Sequence, residues 1–255
     1  MILPSANLFN ILLHVWIALA IGTFIMLLYI SAPYGRHLRK GWGPNLSNRL
    51  GWIIMETPSA LLMLIYYFTG PVQKSIALLV FLILWEFHYL HRSFIFPFRF
   101  HSSKKDMPIL IVIMGMFFNT GNTYFNGLYL FHYSAGYSAS WLLDFRFIAG
   151  TILFIVGFII NQYSDNVLFN LRKPGETGYK IPRGGFYRWI SCPNYFGEML
   201  EWTGWALATW SLAGASFAIW TFANLAPRAL SNHKWYIQKF RDYPKNRKAI
   251  IPYLM

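Results

Sequence analysis

Cysteine is nearly missing from this sequence: Cys192 stands alone. That excludes an intramolecular disulfide and any Cys-rich metal site. Charge is scarce as well, at 12% of the 255 residues, against about 25% in an ordinary soluble domain. Acidic residues are the scarcest, nine against 22 Lys and Arg. There is no Walker sequence and no G-x-G-x-x-G following a strand, so neither standard nucleotide-binding fold applies. The N-terminus has no basic n-region and no small-residue cleavage site, so its first apolar segment is expected to stay in the protein.

What the sequence has in quantity is apolar length. Hydrophobic residues make up 56% of the chain, and apolar runs of roughly twenty residues recur, enough to cross a hydrocarbon core about 30 Å thick. The chain reads as an all-α integral membrane bundle, one domain over 1–255, with seven transmembrane helices. The spans lie near 8–32, 51–69, 75–96, 108–130, 145–165, 195–211 and 214–230. The connections divide by charge. Lys and Arg number four in 33–50, four in 92–107, five in 166–194 and seven from 228 onward, while the opposite side holds Lys74 and Arg146 alone. The positive-inside rule then puts the N-terminus outside and the C-terminus in the cytosol of a multi-pass protein, in a bacterial inner membrane or an endoplasmic reticulum. Topology and attraction to anionic membrane lipids account for the net charge of +13, so no nucleic acid is expected as a partner.

The few acids are informative. Asp106, Glu176 and Asp242 fall in cytosolic loops, Asp144 falls outside, and Asp165 closes the fifth span. Glu56, Glu86, Glu198 and Glu201 fall in or beside apolar helices, where a carboxylate is costly unless paired, protonated or facing a cavity. Pro58 follows Glu56 and frees helical backbone groups beside it. In "WEFHYLHRSF" His88, His91 and Arg92 share one helical face. A polar helix end explains that face better than a metal site, which would need a third ligand.

The C-terminal third is densest in polar groups. Asn161 and Asp165 share a face at i, i+4, and Asn194, Glu198 and Glu201 share another. Arg228, Asn232 and Tyr236 follow at steps of four, with His233 beside them. Between lies "LRKPGETGYKIPRGG", a basic loop punctuated by glycine and proline at 171–185. Arginines can grip phosphate in bidentate fashion, carboxylates and amides can bind sugar hydroxyls, and aromatics can stack on flat rings. These residue types fit a nucleotide-cofactor site and an interfacial structural cap equally well.

The order "NLRKPGETGYKIPRGGFYRWISCPNYFGEMLEWTGWALATWS", then "RALSNHKWY", then "YPKNRKAIIP" resembles the steroid 5α-reductase family. "PYGRH" at 33–37, "ETPS" at 56–59 and "HYLHR" at 88–92 extend the resemblance over nearly the whole chain. The C-terminal part alone is also similar to enoyl-CoA reductases, polyprenal reductases, sterol reductases and isoprenylcysteine methyltransferases. These supply the alternatives: an NADPH reductase of polyprenal or trans-2-enoyl-CoA substrates, or a methyltransferase.

The resemblance implies a seven-helix enzyme that uses NADPH to reduce the Δ4 double bond of a 3-oxo steroid, with no obligate protein partner. It implies catalytic roles for Glu56 and Tyr89 at the 3-ketone. It implies a cofactor site of Tyr34, Arg36, Arg92, Asn161, Asp165, Arg172, Tyr179, Asn194, Glu198, Arg228, Asn232, His233 and Tyr236. Trp52, Met55 and Phe118 would meet the steroid. Residues 1–130 would mainly serve the substrate and 131–255 the cofactor, with the basic loop as a cover that opens and closes. Met55 and Asn232 stand where family members acting on testosterone carry Gln and His, which alters the polar rim around the ketone and one cofactor contact. Hydride addition to a conjugated enone builds charge on the ketone oxygen, so donors aimed there are the main requirement. Tyr89 donates a phenolic hydrogen; Glu56 donates only when protonated, a form that desolvation favours.

Overall fold

The structure, a computed structural model, describes residues 3–33, 35–37, 39, 41–99, 106–172, 176 and 178–255. Among these residues seven α-helices occur: α1 (Ala6–Tyr29), α2 (Asn48–Thr69), α3 (Ile76–Leu90), α4 (Ile109–Leu128), α5 (Phe145–Phe169), α6 (Pro193–Thr209) and α7 (Leu212–Lys239). Two short strands accompany them, β1 (Asn45–Ser47) and β2 (Asp106–Pro108). The chain forms two compact units, one of Met1–Asn10 with Ala32–Phe147 and one of Ile11–Ser31 with Ile148–Met255.

Four helical segments are long and apolar enough to cross a membrane by length and composition: Ala6–Tyr29, Asn48–Thr69, Ile76–Arg99 and Phe145–Phe169. The other expected spans are helical too, and they fall short for visible reasons. Asn119, Asn122 and Asn126 dilute α4, Glu198 and Glu201 sit in the 17-residue α6, and Asn224, Pro227 and Arg228 interrupt the apolar part of α7. Most of α1 is exposed and apolar all round, with Ile11, Val15, Ile21 and Ile25 each at least half exposed. A helix of that kind is at home in hydrocarbon.

In the first unit, β1 pairs antiparallel with β2 in the register Asn45 to Pro108, immediately ahead of α2 and α4. That pairing starts the two helices side by side. Ser47 caps α2 by accepting from the Leu50 N–H at 3.3 Å, and Ser75 caps α3 by accepting from Leu78 at 3.2 Å. Small residues then let α4 lie close along α2: Gly115 faces Met55 and Gly127 faces Tyr66. The α3 helix is held to α2 by the Trp85 indole, which donates to the Ser59 carbonyl at 3.1 Å. Beyond Leu90 it continues as a π-helical turn, His91–Ile95, and a 3₁₀ turn, Phe96–Arg99. Such a turn adds one residue to the helical ladder and re-aims the side chains that follow.

In the second unit, α5 and α6 meet backbone to backbone. Gly150 lies against Gly204 and Ala208, and Gly157 lies against Gly197 and Glu201. The glycines recur seven residues apart on each helix, two turns, so the seam stays on one face along its length. Pro193 opens α6 at its first turn, where its missing N–H costs nothing. Trp210 ends it in the left-handed conformation, and Ser211 caps α7 by accepting from the Gly214 N–H at 2.9 Å. A turn that short makes α6 and α7 antiparallel neighbours. Trp220 of α7 packs on Trp16 of α1 and donates to its carbonyl at 3.0 Å. The last fifteen residues fold back as well. Ile190 and Lys248 form a parallel bridge, and Cys192, Ala229, Ala249 and Ile250 make a small core behind it.

Candidate active site

Within the first unit, the expected substrate residues gather around Glu56. Its carboxylate lies buried on α2, one turn beyond Trp52. The Asn119 side-chain amide donates to Glu56 Oε2 at 2.9 Å and to the Met55 carbonyl at 2.7 Å. Because that carbonyl can only accept, the amide nitrogen must face α2. Arg92 Nε stands 3.9 Å from Glu56 Oε1. Its guanidinium lies over both the Trp52 and the Phe96 rings, 4.5 Å from each centroid. Arg92 thus sits against the expected substrate residues.

Tyr89 is buried on α3, its ring 4.9 Å from both Trp85 and His88. It shares a chain of contacts with Glu56. Trp85 donates to the Ser59 carbonyl, Thr123 donates to Ser59 Oγ at 3.1 Å, and Ser59 Oγ lies 3.4 Å from the Asn119 carbonyl. Met55 turns its side chain into the α2–α4 contact, against Gly115. Phe118 is half-buried on α4, Arg36 is half-buried in a 3₁₀ turn, and Tyr34 lies outside the described residues.

In the second unit, the expected cofactor residues converge on the short segment 191–195, just ahead of and into α6. Asn161 donates to the Asn194 carbonyl at 2.9 Å and approaches Glu198 Oε2 at 3.5 Å. The Asn194 amide donates to Asp165 Oδ1 at 3.0 Å. From α7, Arg228 lies over the Tyr195 ring at 5.5 Å and donates to Asn224 at 3.3 Å. Asn232 reaches Cys192 Sγ at 3.8 Å. Ser191 Oγ is a hub, 2.6 Å from His233 Nδ1, 2.6 Å from the Tyr243 hydroxyl and 3.1 Å from the Lys248 carbonyl. Burial, with the Lys248 charge adding to it, holds the His233 pKa below its usual 6.5. Tyr236 stacks on Tyr243, with centroids 5.3 Å apart and planes 11° from parallel.

Arg172 and Tyr179 form a third cluster. Arg172 donates to the Gly178 carbonyl at 3.1 Å with its guanidinium over the Tyr179 ring, and Tyr179 packs edge-on against Trp235. This ties the described part of the basic loop to α7. Lys173, Pro174, Gly175 and Thr177 of that loop lie outside the described residues.

Four residues absent from the expected site belong with it by geometry: Asn119, Ser191, Tyr243 and Arg247. Arg247 is 5% exposed, and its Nε and Nη1 have no hydrogen-bond partner among the described residues. Buried donors of that kind are costly unless something accepts from them.

Residues 105–255 match the family model described as 3-oxo-5-alpha-steroid 4-dehydrogenase. The chain is 43% identical over 261 residues to 3-oxo-5-alpha-steroid 4-dehydrogenase 1 of Bos taurus, covering 99% of each chain. It is 44% identical over 226 residues to the Homo sapiens protein of the same name, covering 88% of this chain and 86% of that one. To Steroid 5-alpha-reductase DET2 of Gossypium hirsutum it is 40% identical over 252 residues, covering 97% of this chain and 98% of the relative.

Proposed function

Because the chain belongs to the 3-oxo-5-alpha-steroid 4-dehydrogenase family, we propose that it reduces the Δ4 double bond of 3-oxo steroids to 5α-3-oxo products, with NADPH as reductant. The observation that carries this reading is Glu56, a buried carboxyl held by Asn119 at 2.9 Å beside the Arg92–Trp52 stack. A carboxyl kept there, in a helix apolar enough to span a bilayer, is costly without a task. We place the chain across the membrane seven times, N-terminus outside, as its one-sided Lys and Arg require.

The residues of the second unit suit a dinucleotide phosphate. Arg172 and Arg228 offer planar cations already stacked on tyrosines. Asn161, Asp165, Asn194 and Glu198 present amides and carboxylates in one cluster, the donor and acceptor mix that ribose hydroxyls need. Arg247 adds buried N–H groups that lack an acceptor within the described chain. When bound, the cofactor supplies the hydride that adds at C5 of the enone.

The protein's own part is to make C5 electrophilic and to carry the charge that then appears on the ketone oxygen. Glu56 in its neutral form and Tyr89 each donate a hydrogen bond to that oxygen. As the C4–C5 π electrons move toward the ketone, both bonds strengthen, which is what lowers the barrier. Uptake of a proton at C4 completes the saturated ketone. Apolar walls, Trp52 and Phe118 among them, exclude water and hold the flat steroid nucleus.

The test is turnover of progesterone by membranes containing the protein, with NADPH and with NADH, for wild type, Glu56→Gln and Tyr89→Phe. The expected result is a 5α-reduced product that requires NADPH, with turnover lowered about 10²-fold or more in each variant. Purified variants should still bind NADPH. Steroid left untouched by a wild-type protein that binds NADPH tightly would overturn the substrate assignment and move the search to polyprenals and enoyl thioesters.

A further inference from the structure

We infer that Asn122 is a substrate-binding residue: its side-chain amide donates to a second oxygen of the steroid, one other than the 3-ketone, and so favours substrates that carry one. This deepens the proposed reduction of 3-oxo steroids and rests on it. Asn122 lies on α4 at 0% exposure, and its Nδ2 has no hydrogen-bond partner among the described residues. The bilayer core offers no water in its place, so an idle amide donor there costs stability unless a ligand accepts from it.

The other two buried asparagines of the helix show what sets this one apart. Asn119 gives its amide hydrogens to the Met55 carbonyl at 2.7 Å and to Glu56 Oε2 at 2.9 Å. Asn126 donates to the Asn122 carbonyl at 3.0 Å and to Asn122 Oδ1 at 3.3 Å. A backbone carbonyl only accepts, so the group that Asn126 turns toward Asn122 is its NH2. That NH2 needs an oxygen opposite it, which fixes Asn122 Oδ1 on that side and turns Asn122 Nδ2 away. The Asn122 amide is thus held in one orientation, with its donor end unused by the described chain.

Position selects the oxygen it meets. Asn122 stands one turn beyond Phe118, at i, i+4, and at i+3 from Asn119, the partner of Glu56. It therefore extends the Phe118 wall, about 4.5 Å further along the helix axis than Asn119. A ketone oxygen has two lone pairs, and in the proposed reaction Glu56 and Tyr89 take both at the 3-ketone. What remains for Asn122 is an acceptor carried elsewhere on the steroid, a ketone or hydroxyl oxygen of the nucleus or its side chain. A site built to hydrogen-bond such an oxygen discriminates against the analogue that lacks it, because the donor is then left buried and unpaired.

The test compares steroids that differ by one oxygen: androst-4-en-3-one with androst-4-ene-3,17-dione, and progesterone with 11β-hydroxyprogesterone. For each, kcat/KM is measured at saturating NADPH with wild type, Asn122→Leu and Asn122→Ala, with NADPH binding and the thermal midpoint alongside. Both substitutions remove the donor, one keeping the volume and the other leaving a gap, so a loss they share is not one of shape. Wild type should favour the more oxygenated member of at least one pair, and both variants should cut that ratio about 5- to 100-fold. The thermal midpoint of steroid-free Asn122→Leu should be no lower than that of wild type. An idle amide gives way to an apolar group there, and Asn126 keeps its bond to the backbone carbonyl at 122.

A wild type that favours the extra oxygen in neither pair would overturn the inference. So would variants that lose activity on every steroid by the same factor, or an Asn122→Leu protein that melts well below wild type, since either makes the amide a structural group. A wild-type protein that binds NADPH and reduces none of the four steroids would instead defeat the underlying reading, a separately visible failure.

Discussion

Replacing Gly157 by alanine should damage cofactor binding more than it damages the fold. A Cβ at Gly157 would collide with the Glu201 backbone nitrogen and the Gly197 carbonyl, well inside the 3.4 Å where ordinary contact begins. The obstacle is main chain on a packed helix, so α5 and α6 must part locally by about 1 Å. Overpacking of this kind costs about 1–3 kcal/mol, and the better helix propensity of alanine returns about 1 kcal/mol. The net loss of stability is therefore modest, about 0–2 kcal/mol. One turn further along α5, Asn161 donates to the Asn194 carbonyl at 2.9 Å, and Asn194 donates to Asp165 at 3.0 Å. Adding about 1 Å takes both past useful hydrogen-bond length. Asn161, Asn194 and Asp165 are the groups proposed to meet the cofactor's ribose. Displacing them by about 1 Å should weaken NADPH binding by the worth of about two hydrogen bonds, about 1–3 kcal/mol or roughly 5- to 150-fold.

The assay is an NADPH titration of detergent-solubilised protein by tryptophan fluorescence, with a thermal melt beside it. Gly22→Ala on α1 is the control, because nothing lies within 4 Å of a Cβ there. It should bind NADPH normally and melt no lower than wild type. A Gly157→Ala protein whose Kd stays within twofold of wild type would refute the coupling between seam and site. A lowered melting point with unchanged Kd would leave the seam a purely structural feature.

Other expectations concern pH, topology and the C-terminal segment. His233 has a folded pKa below 6.5, so the fold prefers the neutral ring. Its contribution to stability is whole above pH 6.5 and is lost as the pH falls toward the folded value. The melting temperature should thus drop between pH 7 and pH 5 by more in wild type than in His233→Gln; parallel slopes would remove His233 from the account. For topology, Cys192 is buried, so a Cys192→Ser background carrying Lys74→Cys or Lys239→Cys gives clean labelling. Lys74→Cys should react with an impermeant maleimide from outside intact cells and Lys239→Cys only after permeabilisation. Labelling of both from the same side would break the seven-span reading. Ser191→Ala removes the shared partner of His233 and Tyr243 and should lower stability by about 1–3 kcal/mol, read as a lower melting point; an unchanged melt would show that the C-terminal segment docks without it.

The parts of the site that were legible in the sequence are those that lie along one helix. The i, i+4 step predicts that Asn161 and Asp165 share a face and that Asn194 and Glu198 share another, and both faces turn inward and meet. The same step predicts the α7 row of Arg228, Asn232 and Tyr236, although hydropathy ends that span near 230 and the helix runs on to Lys239. Hydropathy measures cost in lipid, and a polar helix end outside the bilayer incurs none, so the helix and the span need not end together. What periodicity cannot report is which helix covers a face. The glycine pairs 150/157 and 197/204 advertise close approach by their spacing, yet nothing in the spacing matches one pair to the other.

Asn119 shows where that limit falls and how far it can be pushed. A carboxyl such as Glu56, buried in a helix long and apolar enough to span a membrane, needs a donor from elsewhere in the chain. The fourth helix offers three buried asparagines, Asn119, Asn122 and Asn126, any of which satisfies that demand chemically. The strand pairing ahead of α2 and α4 and the close contacts Gly115 to Met55 and Gly127 to Tyr66 set the register of the two helices, and the strands contribute three residues each with no strong pattern of their own. Register selects Asn119 for Glu56, while Asn126 donates to Asn122. The need for a partner was readable from composition; its identity is a product of packing.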